Sequence, residues 1–170
     1  RDKKTLVEQI ALRAAVRLND ASPINLTSLL TLILLANGPR ARTLDGLTRT
    51  VCSWMDLVDE RKLPVVGGEK LRTASEIEAT LSSLERNGVV TRHDSGLGAL
   101  FRVSPGQYHK AAYYRNTAIH FFVTDAVIEL ALLHAAEQKD TELAFWREAL
   151  ALRDLLKFEF YFTTREDFLK

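Results

Sequence analysis

Residues 75–103 read SEIEATLSSLERNGVVTRHDSGLGALFRV, and this stretch decides the fold because its hydrophobic period changes halfway along. Ile77, Leu81 and Leu84 recur at helical spacing, as one buried helix face requires. Ser75 and Glu78 have the spacing of a capping box at the start, and Asn87-Gly88 supplies a terminator. Val89-Val90-Thr91-Arg92 and Leu100-Phe101-Arg102-Val103 then flank Asp94-Ser95-Gly96-Leu97-Gly98, a turn-rich segment between two β-prone runs. The expectation is a helix leading into a β-hairpin, with Leu84, Val90 and Phe101 facing one core.

Towards the N-terminus, Leu6, Ile10 and Ala14 fall at helical spacing and predict a first helix from about Lys4 to Asn19, stopped by Asp20-Ala21-Ser22-Pro23. Leu26 to Ala36 is apolar on nearly all sides, the pattern of a central helix packed on several faces, and Asn37-Gly38-Pro39 ends it. Thr43 can cap a third helix through about Asp59, with Leu44, Leu47, Val51, Met55 and Val58 on one face. Pro64 to Gly68 reads as a loop. Three helices followed by a hairpin is the order of a winged-helix module.

Towards the C-terminus, Pro105-Gly106 closes the hairpin unit. The apolar pattern predicts one long helix from about Tyr108 to Glu137. Another begins near Asp140 and carries Leu143, Trp146, Leu150 and the Leu155-Leu156 pair, and an aromatic cluster of Phe158, Phe160, Tyr161 and Phe162 follows. The expected class is mainly α: a winged-helix-like three-helix-plus-hairpin unit followed by two long helices. Residues 1–107 form the winged-helix-like part, and residues 108–170 form a helical hairpin packed on it as one structural unit.

Composition narrows the function. With 46% hydrophobic and 26% charged residues, the chain can bury a core instead of staying disordered. A net charge of +1 with interspersed signs offers no footprint for nucleic acid. The lone Cys52 supports neither a disulfide framework nor a structural zinc site, so no metal and no cofactor are expected, and a reducing setting fits. The chain opens on Arg1-Asp2-Lys3-Lys4 without an initiating Met or a basic-then-apolar leader, which points to a segment of something longer. The longest apolar runs, Leu26 to Ala36 and Ala118 to Leu133, fall short of the roughly 18 residues of a spanning helix, and Thr124, Asp125 and Glu129 interrupt the second.

Two motifs invite a function. The helix in the recognition position of a DNA-binding winged helix carries Glu76, Glu78 and Glu85 against Arg86 alone. Acidic residues oppose phosphates, so a protein- or DNA-binding module is the alternative reading and nucleic acid is not the expected partner. His120 and Asp125 match H-x-x-x-x-D, the general-base spacing of glycerolipid acyltransferases. On a continuous helix, however, positions five apart point about 140° away from each other, so no catalytic residue is assigned. His93, His109, His120 and His134 are too dispersed for a ligand set, and no nucleophile signature is present. Tyr113-Tyr114-Arg115-Asn116 puts two aromatics, a guanidinium and an amide on the first turns of an apolar helix, a composition suited to anchoring a neighbouring domain.

Val16-Arg17-Leu18-Asn19-Asp20-Ala21, then Thr43-Leu44-Asp45-Gly46-Leu47, and above all Tyr113-Tyr114-Arg115-Asn116-Thr117-Ala118-Ile119-His120, resemble the region downstream of the catalytic domain in bacterial glycerol-3-phosphate acyltransferases. The resemblance covers about Ala11 to Phe162. It implies a parent enzyme that transfers an acyl group from acyl-CoA or acyl-carrier protein to the sn-1 hydroxyl of glycerol 3-phosphate in phospholipid synthesis. It also implies peripheral association of that parent with the cytoplasmic face of the cell membrane, and the acyltransferase domain of the same parent chain as partner. The family's catalytic His/Asp context, its arginine-bearing substrate motifs and its Glu-Gly-Thr-Arg type block do not stand here. The resemblance therefore carries over no catalytic or substrate-binding residue, only motif membership for Tyr113, Tyr114, Arg115 and Asn116.

Overall fold

A helix with no polar face must be covered all round, and its hydroxyls must be satisfied from within. In the computed structural model, which describes residues 3–96, 98–162 and 164–169, this applies to α2 (Leu26–Ala36). Arg1, Asp2 and the turn residue Leu97 lie outside the described residues. The helix buries Leu29, Leu30, Ile33 and Leu34 together with Ser28 and Thr31, and a buried hydroxyl without a partner is costly. Thr31 Oγ1 donates to Thr27 O at 2.8 Å and Ser28 Oγ to Asn25 O at 2.7 Å. Asn25 fixes the helix start: its Oδ1 accepts from Ser28 N–H at 2.9 Å while its own N–H donates to Ser28 Oγ at 3.2 Å, closing a capping box.

α2 is covered by α3 (Leu44–Glu60), α4 (Ala74–Arg86), α5 (Tyr108–Arg115) and the hairpin. α1 (Lys3–Asp20) precedes it, and Leu6, Val7, Ile10 and Leu12 on that helix are all exposed. In α3 the expected stripe is buried at Leu47, Val51, Met55 and Val58 and half-buried at Leu44, and Thr43 Oγ1 accepts from Gly46 N–H at 3.0 Å. The cap of α4 is displaced from its expected place. Thr73, not Ser75, holds the extended N-cap conformation and accepts from Glu76 N–H at 3.3 Å. Both Thr73-x-x-Glu76 and Ser75-x-x-Glu78 fit the capping pattern; the 3₁₀ turn Gly68–Arg72 ends directly on Thr73 and selects the earlier frame.

The end of α4 is the expected one. Gly88, at φ +72°, donates to Glu85 O at 2.8 Å, and Val89 N–H reaches back to Leu84 O at 2.9 Å. This pair of bonds is a Schellman closure, for which the left-handed position favours glycine, and it hands the chain straight into β2 (Val90–Ser95). β2 pairs antiparallel with β3 (Gly98–Val103), with Val90 opposite Val103 and Arg92 opposite Phe101. Leu84, Val90 and Phe101 are all buried, as expected. A third strand, β1 (Arg42–Thr43), lies on the far side of β3, giving the order β1-β3-β2. Two residues cannot display a strand period, so the sequence reading anticipates only the hairpin.

The chain divides into two units: Arg17–Ile119, and residues up to Val16 together with His120–Lys170. α5 belongs to the first, where it packs on α2 and buries Ala111. The continuous helix expected from Tyr108 to Glu137 does not form. α5 stops at Arg115, a 3₁₀ turn spans Ile119–Phe121, and α6 (Val123–Ala136) starts afresh. The physical reason lies in Asn116-Thr117: the Thr117 hydroxyl donates to Tyr114 O at 2.9 Å, a local bond that competes with helix continuation.

In the second unit α6 packs antiparallel on α7 (Thr141–Leu156), whose N-cap is Asp140, and the short α8 (Arg165–Phe168) follows. The buried stripe of α7 also differs from the expected one. Phe145, Ala149, Leu152 and Leu156 meet Val127 and Ala131 of α6, whereas Leu143 and Leu155 are 66% and 72% exposed. Two apolar stripes are interleaved on this helix, and the one containing the small Ala149 allows the closer approach.

Two substitutions test this account. Phe101→Ala removes a fully buried ring and is expected to cost about 3–5 kcal/mol in thermal unfolding; an unchanged midpoint would place the residue wrongly. Thr73→Ala should cost about 1 kcal/mol as loss of an N-cap, and Ser75→Ala should be close to neutral. The reverse order would restore the later cap.

Candidate domain-contact segment

Tyr113, Tyr114, Arg115 and Asn116 occupy the last turn of α5 and its C-cap. Ala111 anchors that helix against α2, so the following residues are carried on a rigid support. Tyr113 is 73% exposed, and its ring meets Tyr114 edge-on with centroids 5.6 Å apart. Tyr114 and Arg115 are half-buried and Asn116 is exposed. The structure thus brings all four together at the point where the helix ends.

The guanidinium of Arg115 is turned onto its neighbour. Nε and Nη2 both donate to Asn116 Oδ1, at 3.3 and 2.9 Å. Among the described residues no carboxylate is within ion-pair distance of it. Two other partly covered arginines of this unit, Arg72 and Arg92, are paired with carboxylates. Arg72 holds Asp56 at 2.6 Å and Asp59 at 2.5 Å, and the hydrogen bonds it donates to Asp56 and then to Asp59 push its pKa above the ordinary guanidinium value. Arg92 bonds Asp94 at 3.0 Å, which raises its pKa likewise, and lies over the Phe101 ring. These cations staple α3 to the 3₁₀ turn and brace the hairpin, whereas the Arg115 guanidinium bonds its neighbour Asn116.

His120 lies in the 3₁₀ turn and Asp125 in the first turn of α6, so the continuous helix assumed for their 140° separation is absent. His120 packs against Phe121, with ring centroids 4.0 Å apart. Among the described residues no group of three His, Cys, Asp or Glu side chains could hold a metal, and no helix is long and apolar enough to cross a membrane. A feature the sequence did not disclose lies in the second unit. An open cavity of about 350 Å³ is lined by Ile128, Phe145, Trp146, Ala149, Phe162 and Phe168, with Thr124, Tyr161 and Asp167 completing it. Its only sequence trace is the aromatic cluster after α7, whose spacing has no period to indicate a partner.

The segment sits in a chain of recognisable class: a helical region, with a small antiparallel sheet, from the C-terminal part of an acyltransferase. The family model described as the glycerol-3-phosphate acyltransferase C-terminal region matches residues 1–170, and the chain belongs to that family. Two mycobacterial proteins named acyltransferase plsB1, from Mycobacterium tuberculosis (strain ATCC 25618 / H37Rv) and Mycobacterium bovis, are 39% identical over 168 residues, covering 96% of this chain. A glycerol-3-phosphate acyltransferase of Glaesserella parasuis serovar 5 is 30% identical over 131 residues, covering 75% of it. The chain spans 27% of the length of the mycobacterial relatives and 16% of the Glaesserella protein.

Among the described residues Arg115→Ala removes the bonds to Asn116. The unfolding free energy of the 170-residue chain is therefore expected to stay within about 0.5 kcal/mol of the parent sequence, measured by thermal or urea unfolding.

Proposed function

We propose that this chain is the accessory C-terminal domain of a glycerol-3-phosphate 1-O-acyltransferase. The parent enzyme transfers an acyl group from acyl-CoA or acyl-carrier protein to glycerol 3-phosphate in phospholipid synthesis. The observation that carries this reading is the family match over residues 1–170, together with relatives several times longer than this chain. The catalytic machinery then belongs to the remainder of the parent, which is also the part that associates peripherally with the cytoplasmic face of the cell membrane. The role of this domain is to buttress that machinery.

Tyr113 to Asn116 form the contact with the catalytic domain in this reading. An exposed tyrosine beside a half-buried arginine that meets no carboxylate among the described residues is suited to an interface: the ring supplies rigid area and the guanidinium a bidentate donor. Loss of a buried interface charge typically costs about 2–5 kcal/mol, because its partner is left unpaired. Arg115→Ala in the full-length parent is therefore expected to lower the thermal midpoint or the rate of glycerol 3-phosphate acylation, while the 170-residue chain stays unaffected. If neither quantity changes in the full-length protein, this segment is not the contact.

A further inference from the structure

The cavity of the second unit is built from three pieces of chain. α6 contributes Thr124 and Ile128, one turn apart, and α7 contributes Phe145, Trp146 and Ala149; Tyr161, Phe162 and α8 close the remaining side. Its walls are held in place before any ligand arrives. Phe145 meets Trp146 edge-on at 5.0 Å and Phe162 meets Phe168 at 6.0 Å, the arrangement that the ring quadrupoles favour. The Arg153 guanidinium lies 5.8 Å over the Phe168 ring and donates to Asp154 at 2.8 Å. Ala149 keeps the floor open, because a larger side chain at this buried position would fill it.

The lining selects the ligand. Among the described residues no lysine, arginine or histidine lines the cavity, and Asp167 accepts from the Thr164 hydroxyl at 2.8 Å. A phosphate or carboxylate brought here would be desolvated against a lining made mostly of aromatic and aliphatic side chains. A hydrocarbon chain makes no such demand and gains in proportion to the apolar area it covers. At about 350 Å³ the space falls within the range of small-ligand sites, roughly 300–1,000 Å³. The family name couples two chemistries, an anionic glycerol phosphate and an acyl group; the cavity suits only the second.

We propose that the cavity formed by α6, α7, Tyr161, Phe162 and α8 binds the alkyl part of an acyl group. The choice of alkyl ligand rests on the acyltransferase reading above, whereas the exclusion of anions rests on the lining alone. Trp146 borders the site and Trp54 lies in the other unit, so the ligand reports on itself through the difference in emission between the 170-residue chain and its Trp146→Phe variant.

The experiment titrates the chain with dodecanol and with laurate, both below micellar concentration, and separately with glycerol 3-phosphate. The expected result is a saturable change in Trp146 emission with both alkyl probes, dodecanol binding at least as tightly as laurate, and no change with glycerol 3-phosphate. Ile128→Asp, at a wall position 40% exposed, should weaken alkyl binding about tenfold or more, and Ala149→Phe should abolish it. If Ala149→Phe does not fold, Ile128→Asp still decides the matter. Leu143→Ser, on an exposed leucine outside the cavity, should leave binding unchanged. An unsaturable response, undiminished affinity in Ile128→Asp, or an equal loss in Leu143→Ser would mean adsorption to exposed apolar surface and overturn the proposal. So would a response seen in the 170-residue chain but absent from the full-length parent, because a side chain of the parent would then occupy the cavity. If binding fails while the full-length parent acylates glycerol 3-phosphate, the site is wrong and the accessory-domain reading stands. If binding holds while the parent lacks that activity, the reverse follows.

Discussion

The unit Arg17–Ile119 depends on the enclosure of α2. A helix whose Leu29, Leu30, Ile33 and Leu34 point in several directions is stable only when each direction is covered. The neighbouring elements are arranged to that end: α3 and α4 on their amphipathic faces, the hairpin through Phe101, and α5 through Ala111. Enclosure also sets a polar condition. The back-bonded hydroxyls of Ser28 and Thr31 and the Asn25 cap meet it without outside help, so the helix can be buried at no cost in unsatisfied groups.

That condition explains the shape of the chain after the hairpin. α5 is committed to covering α2, and the turn at Asn116-Thr117 releases the chain from that direction before α6 begins. The interruption leaves Tyr113 exposed and Arg115 half-buried at a helix end instead of in the middle of a long rod. A packing requirement in the core thus places, one turn later, the exposed helix end that the proposed function uses as a domain contact.

The second unit is made differently. Its core, Val127, Ala131 and Ala149 with Phe145, Leu152 and Leu156 around them, is small, and Leu130, Leu132, Leu133, Leu143, Leu155 and Phe158 are exposed on the same helices and just beyond them. Exposed apolar surface on this scale is uncommon on a free-standing domain. It accords with a chain that accounts for 27% of its mycobacterial relatives' length.

The sequence by itself determined what neighbouring residues can encode. The period of Ile77, Leu81 and Leu84, the Asn87-Gly88 stop and the alternation on either side of Gly96 set the helix-to-hairpin order, because hydrophobic period and turn chemistry act within a few residues. The family resemblance was legible for the same reason, in contiguous motifs such as Tyr113 to His120. Only the tertiary structure decided between options that are locally equivalent. Thr73 and Ser75 both satisfy the capping pattern; two apolar stripes compete on α7; β1 is too short to have a period and exists because β3 lies beside it. The break after Arg115 is different in kind: it rests on the local bond from the Thr117 hydroxyl to Tyr114 O, which the apolar period of the segment does not announce. The cavity beside Ala149 is the furthest from sequence, since it is a space bounded by α6, α7, α8 and the residues between them, and the distance between such elements is written in no single segment.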